Sequence, residues 1–152
     1  MYPIIDDVII LLEPSEYPPS LAQRLNIHAA HPVAPSVIAT DIQYTFGAEW
    51  LRFSEILPEH WQEFEAYLDI VDKETLRGKR WCDLGCGIGR WSYFVKDICR
   101  ELILIDFSEA IFVARRNLQD ANNALFFMGD IMRLPFRRDF ADFAICLGVL
   151  HH

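Results

Sequence analysis

Beyond residue 80 the apolar residues gather into short blocks separated by polar or helical spacings. RWCDL (80–84), ELILID (101–106), ALFFMG (124–129) and DFAICLGVL (142–150) are short, apolar and bounded by turn residues, the pattern of buried strands. Between the first three, RWSYFVKDI (90–98) and SEAIFVARRNL (108–118) change to helical period. Trp91, Phe94, Val95 and Ile98 share one helical face, and Ile111, Ala114 and Leu118 share another behind a Ser108 cap. Strand, helix, strand, helix, strand, strand is the rhythm of a parallel α/β sheet. Earlier, Trp61, Phe64, Leu68 and Val71 form one apolar stripe after Pro58. Asp72 is placed to cap a further turn and Gly78 to stop it. At the amino terminus YPIIDDVIILL (2–12) predicts one or two short strands. Pro14, Pro18, Pro19, Pro32 and Pro35 then predict an extended connector without long regular structure.

Three stretches result: a strand and Pro-rich segment (1–42), a helical lead-in (43–78) and a Rossmann-like half-domain (79–152). Hydrophobic residues at 52% and charged residues at 24% suit a globular protein with a sizeable core. The formal net charge of −8 disfavours nucleic acid or an anionic membrane as partner, since both need clustered Lys and Arg. No apolar run approaches the roughly 20 residues of a membrane span. Cys82, Cys86, Cys99 and Cys146 form no C-x-x-C pair and have apolar neighbours, so buried free thiols in the cytoplasm are expected. The acidic set Glu59, Glu63, Glu65 and Asp69 reads as a solvated helix surface.

The candidate chemistry lies in DLGCGIGRW (83–91), where a strand gives way to a helix. Glycines at 85, 87 and 89 permit a tight turn and let a ligand approach the backbone. Asp106 closes the next strand, where a carboxylate can accept from both hydroxyls of a ribose; the competing reading is a cap for the following helix. The dinucleotide fingerprint G-x-G-x-x-G is not met, because the third glycine comes one residue early and Arg90 follows it. A nucleoside with an amino-acid tail accommodates the early glycine.

With DLGCGIGRW, LILIDFSEAIFVARRNL, GDIMRLPF and DFAICLGVLHH in this order, the sequence resembles the class I S-adenosylmethionine (SAM)-dependent methyltransferases, in their small-molecule, type 11-like branch. The likeness runs from about Tyr44 to His152, because FGAEWLRFSEILPEH is similar to that branch's lead-in. It implies an α/β, Rossmann-like parallel sheet, partial and ending after the fourth strand, with S-adenosyl-L-methionine as cofactor and a small-molecule methyl acceptor. It implies that Asp83, Gly85, Gly87 and Gly89 wrap the methionine part of the cofactor. Asp106 would hold the ribose and Phe107 lie against adenine. Asp130 would accept from the adenine amino group, and the Ile131 backbone could donate to the ring. Leu147 and Gly148 would offer backbone groups near the ammonium and sulfonium, and Arg52 or Arg90 would approach the methionine carboxylate. His151, beyond the fourth strand, stands where a general base could act. A weaker resemblance links residues 2–12 to the closing strands of zinc-ribbon modules; the cysteine pairs are absent here and no metal site is expected.

A class I fold has seven strands, so four imply a truncated chain with AICLGVL as an exposed apolar edge open to pairing with another polypeptide or a second copy. Two rivals to an active methyltransferase follow: a catalytically incomplete SAM-binding or protein-interaction module, and a nicotinamide-dependent oxidoreductase, which the glycine spacing opposes.

Overall fold

The computed structural model describes residues 2–27 and 52–150. Its frame is one six-stranded sheet: β1 (Ile4–Ile5), β2 (Val8–Ile10), β3 (Arg80–Leu84), β4 (Glu101–Asp106), β5 (Ala124–Met128) and β6 (Phe143–Ile145), in the order β1-β2-β5-β4-β3-β6. All strands from β2 to β6 run parallel, and only β1 is antiparallel to its neighbour. The four strands expected after residue 80 are present, but the sheet is larger than a four-stranded fragment. Ile5–Asp6–Asp7–Val8 forms a two-residue hairpin with both aspartates at positive φ (47° and 62°). This turn matches the twist of paired strands, and it delivers β2 onto the free edge of β5. The amino-terminal strands are therefore hydrogen-bonded into the same sheet.

The Pro-rich connector also differs from expectation. Pro14 opens a 3-10 turn, and Pro19 is the first residue of α1 (Pro19–Arg24). Proline suits that first position because its missing N–H would have no helical partner there and its φ is already helical. Leu21 of α1 is wholly buried in the core. Pro32 and Pro35 lie outside the described residues.

Further helices fully within the described residues are α2 (His60–Tyr67), α3 (Arg90–Tyr93) and α4 (Ala110–Asn117). Of the predicted stripe on α2, Phe64 and Leu68 are buried, whereas Trp61 stays 40% exposed against Phe64 and Phe94. Asp72 caps as expected, accepting from the Glu74 N–H at 3.0 Å. The helix expected over 90–98 is regular only to Tyr93. It continues as tight turns, with Phe94, Val95 and Ile98 each donating to the carbonyl three residues earlier. Trp91 and Val95 remain buried through this change.

Strand β4 is buried on both sides, as a central parallel strand should be. Leu102 and Leu104 face the main core with Ile111, Ala114 and Leu118 of the α4 region. Ile103 and Ile105 face the opposite side, which is covered by the 131–141 segment. There Phe136 stacks on Phe140 at 4.2 Å and meets Phe127 edge-on. Aromatic loop residues do on this side what a crossover helix would otherwise do.

The run at 142–150 is strand only through Ile145. Ile145 is buried; beyond it Gly148 takes φ +72° and residues 147–150 line a cavity, with Leu150 76% exposed. Of the apolar run expected to lie along an open edge, Ile145 is buried while Ala144, Gly148 and Leu150 stay exposed. Among the described residues, β6 remains the end strand of the sheet, paired with β3 alone.

Candidate functional site

The chain order reverses at β3, whose neighbours are β4 on one side and β6 on the other. Ligands of open α/β sheets bind outside the carboxyl ends of strands at such a reversal. The glycine turn leaves β3 at that end. Gly85 and Cys86 donate their N–H groups to the Ile105 carbonyl at 2.8 and 2.9 Å, tying the turn to β4. Gly87 N–H donates to Asp106 Oδ2 at 2.8 Å.

Two glycines are required by their surroundings. Gly85 has φ +73°, and a Cβ there would lie 2.3 Å from Val149 Cγ2. Gly89 has φ +77°, and its Cβ would lie 2.6 Å from Leu118 Cδ1 and 3.2 Å from Ala114 Cβ. Gly85 thus lets Val149 pack against the turn, and Gly89 lets α4 do so.

The turn forms one wall of a cavity of about 580 Å³, within the range of small-molecule sites. Gly85, Gly87, Asp106, Phe107, Asp130, Ile131, Leu147 and Gly148 all line it. Asp83 and Gly89 stand behind the lining. Arg90 lines this cavity and also a second one of about 530 Å³, which contains Arg52 and His60; Ile88 and Arg90 are shared by the two. Arg90 pairs with Glu63 at 3.3 Å and lies over the Trp91 ring. His151 lies outside the described residues.

Asp106 both caps and lines. Its Oδ1 accepts from the Ser108 N–H at 2.8 Å and the Ser108 hydroxyl at 2.7 Å, while Oδ2 holds Gly87. Ser108 Oγ in turn accepts from the Ala110 N–H at 3.2 Å, the capping role expected for it. With the Phe107 backbone also donating, four protein donors meet a carboxylate with about four acceptor directions. Burial raises the Asp106 pKa, and the hydrogen bonds from Ser108 and Gly87 oppose the rise.

Asp83 is buried beneath the turn and accepts from Ser92 Oγ at 2.7 Å. Ser92 Oγ also accepts from Trp81 Nε1 at 3.1 Å. Burial pushes Asp83 up to about 7; the Ser92 hydrogen bond opposes this and the Asp106 charge adds to it. Burial likewise raises Cys86 well above an ordinary thiol, with Asp106 and Asp83 adding to it. Cys86 therefore stays protonated in the cavity wall, which disfavours a nucleophilic role.

Asp130 follows β5 and starts a 3-10 turn (Ile131–Arg133). Its carboxylate accepts from the Met132 N–H at 2.8 Å and from Arg133 Nε at 2.9 Å. Among the described residues there is no cluster of side chains suited to a metal ion, no buried side-chain nitrogen or oxygen without a partner, and no helix long and apolar enough to cross a membrane.

Tyr67, Ser108, Trp91, Met132, Val149 and Leu150 also line the cavity, with no site role expected for them from the sequence. Tyr67 carried a readable signal, an aromatic residue off the apolar stripe of α2; it is 61% exposed and meets Trp91 edge-on at 5.4 Å. Ser92 and Met132 carried none, because one acts through side chains eleven and nine residues away and the other through its place in a turn.

A family profile described as "Methyltransferase domain" matches residues 82–152, from β3 through the last lining residues. No curated protein matches the sequence. Among solved structures, the chain is similar to magnesium protoporphyrin IX methyltransferase from Synechocystis PCC 6803 with bound SAM, at 23% identity and TM-score 0.62, covering 77% of this chain and 64% of that one. It is similar to phosphoethanolamine N-methyltransferase 1 from Haemonchus contortus, in complex with phosphoethanolamine and S-adenosylhomocysteine, at 19% identity and TM-score 0.54, covering 70% and 25%. A SAM-dependent methyltransferase from Aquifex aeolicus matches at 16% identity and TM-score 0.52, covering 64% and 54%. The chain spans between 25% and 64% of the length of these proteins. At such identities the likeness is one of fold: this is a class I SAM-dependent methyltransferase-like α/β fold.

Proposed function

We propose that the cavity at the carboxyl ends of β3, β4 and β5 binds S-adenosylmethionine and that the chain serves methyl transfer to a small-molecule acceptor. One observation carries this reading: an open glycine turn, a strand-end acid and a second acid after the next strand line a single cavity.

In this reading Gly85 and Gly87 admit the methionine part, with Asp83 and Gly89 supporting the turn from behind. Asp106, in the cavity wall, receives the ribose hydroxyls. Phe107 lies against adenine, Asp130 accepts from its amino group and the Ile131 N–H donates to the ring. Leu147 and Gly148 present backbone groups to the ammonium and sulfonium. Arg90, which borders both cavities, or Arg52 beside it, approaches the methionine carboxylate. A reducing compartment such as the cytoplasm suits the four free thiols.

When bound, the cofactor supplies a methyl group already activated by its sulfonium. The protein's part is to align that methyl with the acceptor and to keep water away. Trp91, Val149 and the Leu147 region supply apolar walls for this purpose. Where the acceptor is a hydroxyl or an acidic carbon, a base is needed, and His151 is the candidate.

Calorimetric titration with S-adenosylhomocysteine and with NAD tests the reading. Binding of the first and not the second supports it; a folded chain that binds neither, or binds NAD alone, sinks it. The end-strand position of β6 favours a second reading, a SAM-binding module that pairs with another polypeptide. Binding without turnover across a panel of labelled-methyl acceptors would favour that module.

A further inference from the structure

The amino-terminal hairpin is built against the wall of the cavity that carries Asp130. Just past β2, the Leu11 N–H donates to the Met128 carbonyl at 2.8 Å. The Leu11 side chain lies so close to Gly129 that a Cβ there would meet it at 3.1 Å. The chain then turns through the 3-10 segment 14–16 and presents Glu16 to Arg133, whose Nη2 it pairs. The Nε of the same guanidinium donates to Asp130 Oδ2 at 2.9 Å, and the Met132 N–H holds Oδ1 at 2.8 Å. Both oxygens of Asp130 are therefore fixed by donors, and one of those donors is seated by the amino-terminal segment.

We propose that Arg133, seated by Glu16, is a positioning residue that orients the Asp130 carboxylate for the exocyclic amino group of a purine ring. The amino-terminal segment then forms part of the base-recognition wall. This inference rests on the function proposed above. An aspartate's terminal torsion is soft and broad, so an unheld carboxylate would lose the direction that distinguishes a donor from an acceptor on the ring. Arg133 is 54% exposed, so its ion pairs add little stability; its role is orientation. The planar guanidinium holds its donors at fixed angles, which a lysine ammonium does not.

The test uses the full chain and two ligands, S-adenosylhomocysteine and S-inosylhomocysteine, in which a carbonyl replaces the amino group. The wild type is expected to prefer the adenosyl ligand. In R133A and R133K that preference falls by about five- to tenfold, and in E16Q by about two- to threefold. A merely structural role would weaken both ligands alike and leave the ratio unchanged. In D130A the ratio is already lost, and adding R133A changes it no further. Without ligand, amide exchange at Met132 is faster in R133A, R133K and E16Q than in the wild type.

An unchanged ratio in R133A beside an altered one in D130A overturns the inference and leaves the binding function standing. Full preference in R133K overturns it too, because charge rather than orientation would then suffice. Failure of the folded wild type to bind S-adenosylhomocysteine overturns the proposed function and base recognition with it. Unchanged Met132 exchange in R133A overturns the clamp whichever ligand binds.

Discussion

Replacing Asp83 with Asn should flatten the dependence of stability on pH. Asp83 is buried under the glycine turn and its pKa is pushed up to about 7 by burial, despite the Ser92 hydrogen bond. An unfolded aspartate titrates near 3.9. Between these values the folded state holds a proton that the unfolded state has released. Stability from this group is thus fully present below about 4 and is lost as pH rises to about 7. The whole interval corresponds to about 4 kcal/mol, of which about 3 kcal/mol falls between pH 5 and 8. Asn is uncharged and keeps an oxygen for Ser92, so D83N removes this slope; Asp106, also raised by burial, leaves a smaller one. Urea denaturation followed by tryptophan fluorescence at pH 5, 6, 7 and 8 measures the effect. The slope is the informative quantity, since the buried Asn amide can cost about 1–3 kcal/mol at every pH. In S92A the loss should extend to higher pH, because the hydrogen bond that lowers the Asp83 pKa is gone. Equal slopes in wild type and D83N would refute the reasoning.

Other substitutions probe the site and its frame. Gly89→Ala meets both a positive φ and contacts under 3.3 Å, and should lower stability in the same denaturation assay by about 2–4 kcal/mol. Asp106→Asn keeps an acceptor but loses the charge facing Gly87 and Ser108, and should weaken S-adenosylhomocysteine about tenfold or more by calorimetry. Asp7→Asn removes the charge from the 2.7 Å pair with Arg115, in which Asp7 is 75% exposed, and keeps a residue that tolerates the positive φ of this turn. It should cost less than about 1 kcal/mol, and less again in high salt.

The strand rhythm after residue 80 was legible because RWCDL and ELILID are buried on both faces, which leaves short continuous apolar blocks in the sequence. The glycine turn and Asp106 were legible for a related reason: backbone approach and a strand-end carboxylate demand particular residue types at fixed spacing. The place of Ile4–Ile10 was not legible. Its β-branched run announces strands, but pairing with β5 more than a hundred residues later is a choice of edge that no local pattern records. Pro19 misled because proline ends helices and also begins them. The clamp of Glu16 and Arg133 on Asp130 was hidden for the same reason of distance, since its partners are 117 residues apart.

Amide exchange with and without saturating S-adenosylhomocysteine tests the role of the glycine turn at the end of β3 most directly. The prediction is slowed exchange confined to residues 85–90, 106–108, 130–132 and 147–150, at the carboxyl ends of four adjacent strands. Unchanged exchange there, or protection elsewhere in the chain, would contradict the assignment of this cavity as the cofactor site.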